Sequence, residues 1–126
     1  MAKVRLKRLS GGYAMSRLDP LSAFPAWADG EGFVSISRTD DELSITCRAD
    51  RVPADVRQDG GWVCYKFIGP FAFDETGIVS SVIGPLSDHG LGIFVVSTFD
   101  GDHLLLKAKD RDAAERILHA AGHSFL

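Results

Sequence analysis

The order of predicted elements places this chain in the α+β class, as two tandem β-α-β-β-α-β units with antiparallel sheets and helices on one face. Three observations predict this. Residues 33–37 and 43–47 alternate apolar and small polar side chains around the turn Thr39-Asp40-Asp41-Glu42, as a hairpin with one buried face does. Asp100-Gly101 lies between the apolar runs 93–96 and 104–106, a strong short-range hairpin signal. Ile78, Val82 and Leu86 recur every four residues, and Ala113, Ala114, Ile117, Leu118 and Ala121 form a second helical stripe. The repeat is one of element order rather than residue identity, with units expected over 1–61 and 62–126.

In chain order, residues 4–9 and 13–18 flank Gly11-Gly12 and read as a first hairpin. Asp19-Pro20 resembles a helix start, with Asp19 as N-cap and Pro20 at the first helical position, and Pro25 interrupts that helix. Residues 29–32 are a loop, and the hairpin of 33–47 follows. Turns are expected around 52–55 and at Gly60-Gly61. The apolar run 62–68 continues through Gly69-Pro70 to Phe73 as one bent strand. A helix starts at Thr76, carries Pro85 inside its pattern as a kink, and ends before Gly90. Strands over 93–96 and 104–106 precede a last helix, capped by Asp110 and ended by Gly122.

The bulk numbers exclude several function classes. The chain has 126 residues, 45% hydrophobic and 25% charged, an ordinary globular composition with enough length for one good core. A net charge of −3 argues against nucleic acid as the main partner, because phosphate binding needs a basic face. Lys3, Arg5, Lys7 and Arg8 are the local exception, read as an exposed strand whose charges blunt a sheet edge. Cys47 and Cys64 sit in apolar runs as buried thiols, and no Cys/His spacing suits zinc. His119 and His123 are four apart, but Gly122 ends the helix between them, so no metal pair is assigned. No run of about 18 apolar residues and no signal-peptide core is present, so no membrane span is expected and the chain reads as cytoplasmic.

Two stretches carry the chemistry: Asp74-Glu75-Thr76-Gly77-Ile78 at a helix start and Ser97-Thr98-Phe99-Asp100-Gly101-Asp102 at a hairpin tip. Brought together, they form a receptor for a small zwitterion. The helix end suits a carboxylate, and the acidic side chains suit an amine or guanidinium. Gly77, near the start of a helix, either makes a tight turn or lets a ligand reach the backbone N–H groups of Gly77 and Ile78. Asp74 and Asp100 are accounted for by capping and turn chemistry. Glu75, next to the glycine turn, is the better candidate for a ligand cation, and Asp102 starts a strand, where acidic residues are disfavoured; Thr98 could offer a backbone edge and Phe99 an apolar wall or plain core. No nucleophile elbow, triad spacing, Gly-rich phosphate loop or cofactor motif appears, so no catalytic residue and no cofactor are assigned.

The same residues carry a resemblance. Residues 71–78, then Gly84-Pro85-Leu86, Gly90-Leu91-Gly92-Ile93-Phe94 and Ser97-Thr98-Phe99-Asp100-Gly101-Asp102-His103, resemble ACT domains. The nearest branch is that of small bacterial tandem-ACT proteins and the cytosolic arginine sensors of the TOR pathway. The match is strong over about residues 62–121 and rests on layout alone in the first half. It implies ferredoxin-like regulatory modules that bind an amino acid without catalysis and associate as homo-oligomers, such as a homodimer. It also implies a ligand site of Glu75, Thr76, Gly77, Ile78, Thr98, Phe99 and Asp102, in which Glu75 and Asp102 meet the ligand cation. The sensors have four ACT units where two are expected here, and no fused enzyme or DNA-binding domain is expected. Two other readings stay open: an ACT-like oligomerisation or interaction module without a ligand, and a small enzyme using the carboxylates.

Overall fold

The computed structural model describes residues 2–69, 71 and 75–126. The expected strand path through Pro70, Ala72 and Phe73, and Asp74 as a helix cap, lie outside the described residues. The chain is a mixed α+β protein that divides into two compact units, Met1–Leu9 with Val63–Leu126, and Ser10–Trp62.

The larger unit contains β1 (Arg5–Arg8), the C-terminal part of β5 (Arg57–Phe67), α1 (Ile78–Asp88), β6 (Ile93–Ser97), β7 (Asp102–Lys107), α2 (Arg111–Ala120) and β8 (Ser124–Phe125). From β5 onward the order is β-α-β-β-α-β. The strands run β6-β7-β5-β1-β8, with β1 antiparallel to β5 through Leu6↔Phe67 and parallel to β8. One core joins sheet to helices: Leu6, Tyr65, Phe67, Leu104 and Leu106 pack with Val82 and Leu86 of α1 and Ala114 and Leu118 of α2. Tyr65 also donates its hydroxyl to Glu115 of α2 at 2.5 Å. Both helices end as the glycines predict. Leu91 N–H reaches Leu86 O and Gly90 N–H reaches Ser87 O; His123 and Gly122 repeat the pattern on Leu118 and His119.

The smaller unit contains β2 (Tyr13–Leu18), β3 (Ser35–Arg38), β4 (Leu43–Arg48) and the N-terminal part of β5, in the order β3-β4-β2-β5. Its core is Ala28, Leu43, Ile45 and Cys47, with Leu18, Trp27, Val34, Ile36 and Val52 against it. The β3–β4 hairpin turns where expected, on Thr39, whose N–H meets Glu42 O at 2.9 Å and whose Oγ1 accepts from Asp41 and Glu42 N–H.

Several local expectations are corrected. β1 and β2 do not pair as a hairpin; each lies against a different stretch of β5, because β5 is long enough to take both. β1 is therefore not an edge, since β8 covers its other side. No helix starts at Asp19-Pro20. Arg38 donates to the carbonyls of Pro20 and Ser22, which a helix would need, and only the 3-10 turn Ala26–Ala28 forms after Pro25. A second single 3-10 turn, Ala49–Arg51, follows β4. Gly60-Gly61 is not a turn but lies within β5. There the register shifts from Tyr13↔Trp62 to Met15↔Asp59, one extra residue on β5, and Gly61 takes φ +77°. Asp110 sits at the N-cap of α2 but makes no capping hydrogen bond, because a 3-10 turn runs straight into the helix.

Candidate functional site

α1 begins two residues later than expected. Gly77 is its N-cap rather than an interior residue, with φ +80° and ψ 0°. That left-handed conformation is what demands glycine. A Cβ at this position would meet nothing within 4 Å, so tight packing is not the reason. Ser81 N–H closes the first turn on Gly77 O at 3.0 Å, and Gly77 has no side chain to cap with. The N–H groups of Ile78, Val79 and Ser80 consequently have no partner within the helix.

The opposing wall is the β6–β7 tip. Ser97 pairs with Asp102 in the ladder. Within the tip, Gly101 O accepts from Thr98 N–H at 2.7 Å and from Thr98 Oγ1 at 3.0 Å. Ser97 Oγ donates to Asp102 Oδ1, which holds that carboxylate at the start of β7. Asp102 is half-buried at the strand start, and Phe99 is 79% exposed at the rim.

The helix start and the hairpin tip line one cleft of about 440 Å³. Glu75, Gly77, Ile78, Thr98, Phe99 and Asp102 all border it; Thr76 does not and is simply exposed. Phe71, Val79, Ser80, Ser97, Asp100 and Gly101 complete the lining. Val79 and Ser80 follow from the helix-start argument once the cap is placed at Gly77. Ser97 follows from its ladder position opposite Asp102. The site therefore presents helical N–H donors and Glu75 on one side and Asp100 and Asp102 on the other, with apolar surface from Phe71, Ile78 and Phe99. A second cavity of about 250 Å³ shares Thr98, Asp100, Gly101 and Asp102 and adds Lys66 and His103. Burial holds the His103 pKa below the usual histidine range, with help from Lys66 and against the pull of Asp102.

The cysteines and remaining histidines lie elsewhere. Cys47 and Cys64 are free and buried, and burial pushes the Cys64 thiol up to about 12. His119 is exposed on α2, and His123 is buried. Among the described residues no cluster of three His, Cys, Asp or Glu could hold a metal ion, and no helix is long and apolar enough to cross a membrane.

Comparison with known proteins adds to this geometry. The ACT domain model matches residues 58–120, and a separate N-terminal domain model matches residues 11–55. Over 104 residues the chain is 31% identical to the bovine (Bos taurus) protein named cytosolic arginine sensor for mTORC1 subunit 1. That match covers 77% of this chain but spans only 28% of the bovine protein. A crystal structure of an Agobacterium tumefaciens protein superposes with a TM-score of 0.96 at 63% identity, covering 100% of this chain and 94% of that one. The regulatory subunit of aspartate kinase from Thermus thermophilus, in its ligand-free form, shares the fold at a TM-score of 0.61 and 10% identity, with 92% and 93% of the two chains covered. With the ACT model covering half of its length, over the β-α-β-β-α run from β5 to α2, the chain belongs to the ACT-domain family.

Proposed function

We propose that this protein is a regulatory amino-acid sensor that works by binding alone, with no catalysis. One observation carries the reading: the helix start and the acidic hairpin tip border a single cleft inside one compact unit. The ligand is an amino acid with a cationic side chain. Its carboxylate meets the N–H groups at the start of α1, where the helix dipole favours negative charge. Its amine or guanidinium meets Glu75 and Asp102 through charge-assisted hydrogen bonds. The relative named as an arginine sensor supports this choice of ligand class. In this reading Glu75, Gly77, Ile78, Thr98, Phe99 and Asp102 are the contact residues, and Thr76 acts only through its place in the turn. The chain is two ACT-like units, a larger one that carries the cleft and includes β1, and a smaller one over Ser10–Trp62, acting in the cytoplasm as a homodimer.

A thermal-shift screen of the common amino acids tests this. A ligand at 100 times its Kd stabilises by ~2.7 kcal/mol, so L-arginine or L-lysine should raise the melting temperature while L-glutamate does not. No shift from any amino acid at millimolar concentration sinks the reading.

The exposed Phe99 and Phe94, the latter on strand β6, which among the described residues pairs with β7 alone, favour a second reading: an interaction module without a ligand. It predicts a stable oligomer indifferent to amino acids and to the loss of Glu75 and Asp102.

A further inference from the structure

Pro85 lies inside α1. A proline has no backbone N–H, so the carbonyl four residues earlier loses its helical donor. That carbonyl belongs to Ser81, a buried residue. A buried carbonyl without a donor carries its full desolvation penalty. The structure supplies a donor from elsewhere: His123 Nε2 lies 2.8 Å from Ser81 O. The other ring nitrogen, Nδ1, lies 3.0 Å from the backbone nitrogen of Val4. An N–H can only donate, so Nδ1 accepts from Val4 and the proton of the neutral ring sits on Nε2, aimed at Ser81 O. The Gly122 turn that ends α2 places this ring, with His123 N–H on Leu118 O at 3.0 Å.

Ser81 in turn anchors the start of α1. Its N–H donates to Gly77 O at 3.0 Å, and its Oγ donates to Ile78 O at 2.7 Å. One residue thus holds the carbonyls of two cleft residues, and His123 holds the carbonyl of that residue. We propose that His123 is a positioning residue: its Nε2–H replaces the hydrogen bond that Pro85 removes. It thereby fixes the first turn of α1 and the N–H groups of Ile78, Val79 and Ser80 at the cleft. The consequence for ligand affinity rests on the sensor reading above; the hydrogen-bond replacement does not.

The test uses the whole chain as wild type, Pro85→Ala, His123→Leu and the double variant. The Pro85→Ala change returns an N–H to Ser81 O and makes the imidazole donor redundant. Amide hydrogen exchange of Ser81 is the first readout. With Pro85 present, His123→Leu should speed that exchange about tenfold; in the Pro85→Ala background, by less than about twofold. Equal factors in the two backgrounds overturn the proposal, because a side chain that only fills space is indifferent to residue 85. Nitrogen NMR of the wild-type imidazole is the second readout and holds even where His123→Leu fails to fold. The Nε2–H tautomer is expected, and the Nδ1–H tautomer overturns the proposal. L-Arginine titration completes the set, with affinity losses expected to follow the exchange factors. Absence of arginine binding to the wild type removes the sensor reading while the exchange cycle still decides the role of His123. Equal arginine affinity in all four proteins overturns the link between this bond and the cleft.

Discussion

The two units differ in the helical elements that connect their strands. From Val63 onward, α1 runs over eleven residues and α2 over ten, and both bury apolar faces against the sheet. Between Ser10 and Trp62 the helical elements are two 3-10 turns of three residues each. The difference is local chemistry. Pro20 and Pro25 leave few N–H groups for a helix, and Arg38 takes two carbonyls from that stretch. It bears directly on function. A cleft with several aligned N–H donors needs a full helix to begin at its edge, as α1 does at Gly77 and Ile78.

Core truncation sharpens this contrast most. Leu86 is fully buried between helix and sheet, so Leu86→Ala should cost ~3 kcal/mol in urea denaturation. The half-buried Ile36 of the smaller unit should cost less than half as much when cut to alanine. Equal costs would remove the distinction between the two cores.

A smaller effect comes from the backbone of the cleft. Gly77→Ala should lose ~1–2 kcal/mol from its left-handed φ alone, since its Cβ meets no neighbour. Gly12 of the other unit lies outside the positive-φ region and has only Trp62 O near, at 3.9 Å. Gly12→Ala, followed by the same denaturation, should leave stability unchanged.

Charge removal separates binding from folding. Glu75→Ala and Asp102→Ala should lower stability by less than ~1 kcal/mol in urea and abolish any thermal shift by L-arginine. A variant that keeps the shift excludes its residue from the ligand contacts.

The mildest effect is a slope in pH. The folded His103 has a lowered pKa, chiefly from burial, so the unfolded chain takes up the proton first. Its contribution is complete above the unfolded value of about 6.5 and is lost as pH falls through that value. Wild type should lose stability on acidification over this range, and His103→Gln should flatten that part of the curve. An unchanged slope in the variant would assign the dependence to other groups.

The features legible in the sequence are those set by neighbours along the chain. The period of Ile78, Val82 and Leu86 marks α1, Asp100-Gly101 marks the β6–β7 tip, and Gly90 and Gly122 mark the helix ends. The strand partners of β1 and β2 are not legible, because β5 offers each of them a better ladder than they offer each other. Gly60-Gly61 misleads for a related reason. Two glycines read as a turn, but a ladder on β2 absorbs them as a bulge. Thr76 is legible as part of a motif yet stays off the cleft, since the turn that starts α1 at Ile78 leaves it exposed.

By itself, then, the sequence determined which segments form helices and hairpins in residues 76–122, and which acidic and glycine residues stand at their ends, because capping, periodicity and turn chemistry act over a few residues. Only the tertiary structure decided that those ends border one cleft. It alone also set His123 across α1 to replace the donor that Pro85 lacks, because a contact between residues 42 positions apart is fixed by packing and not by any local preference.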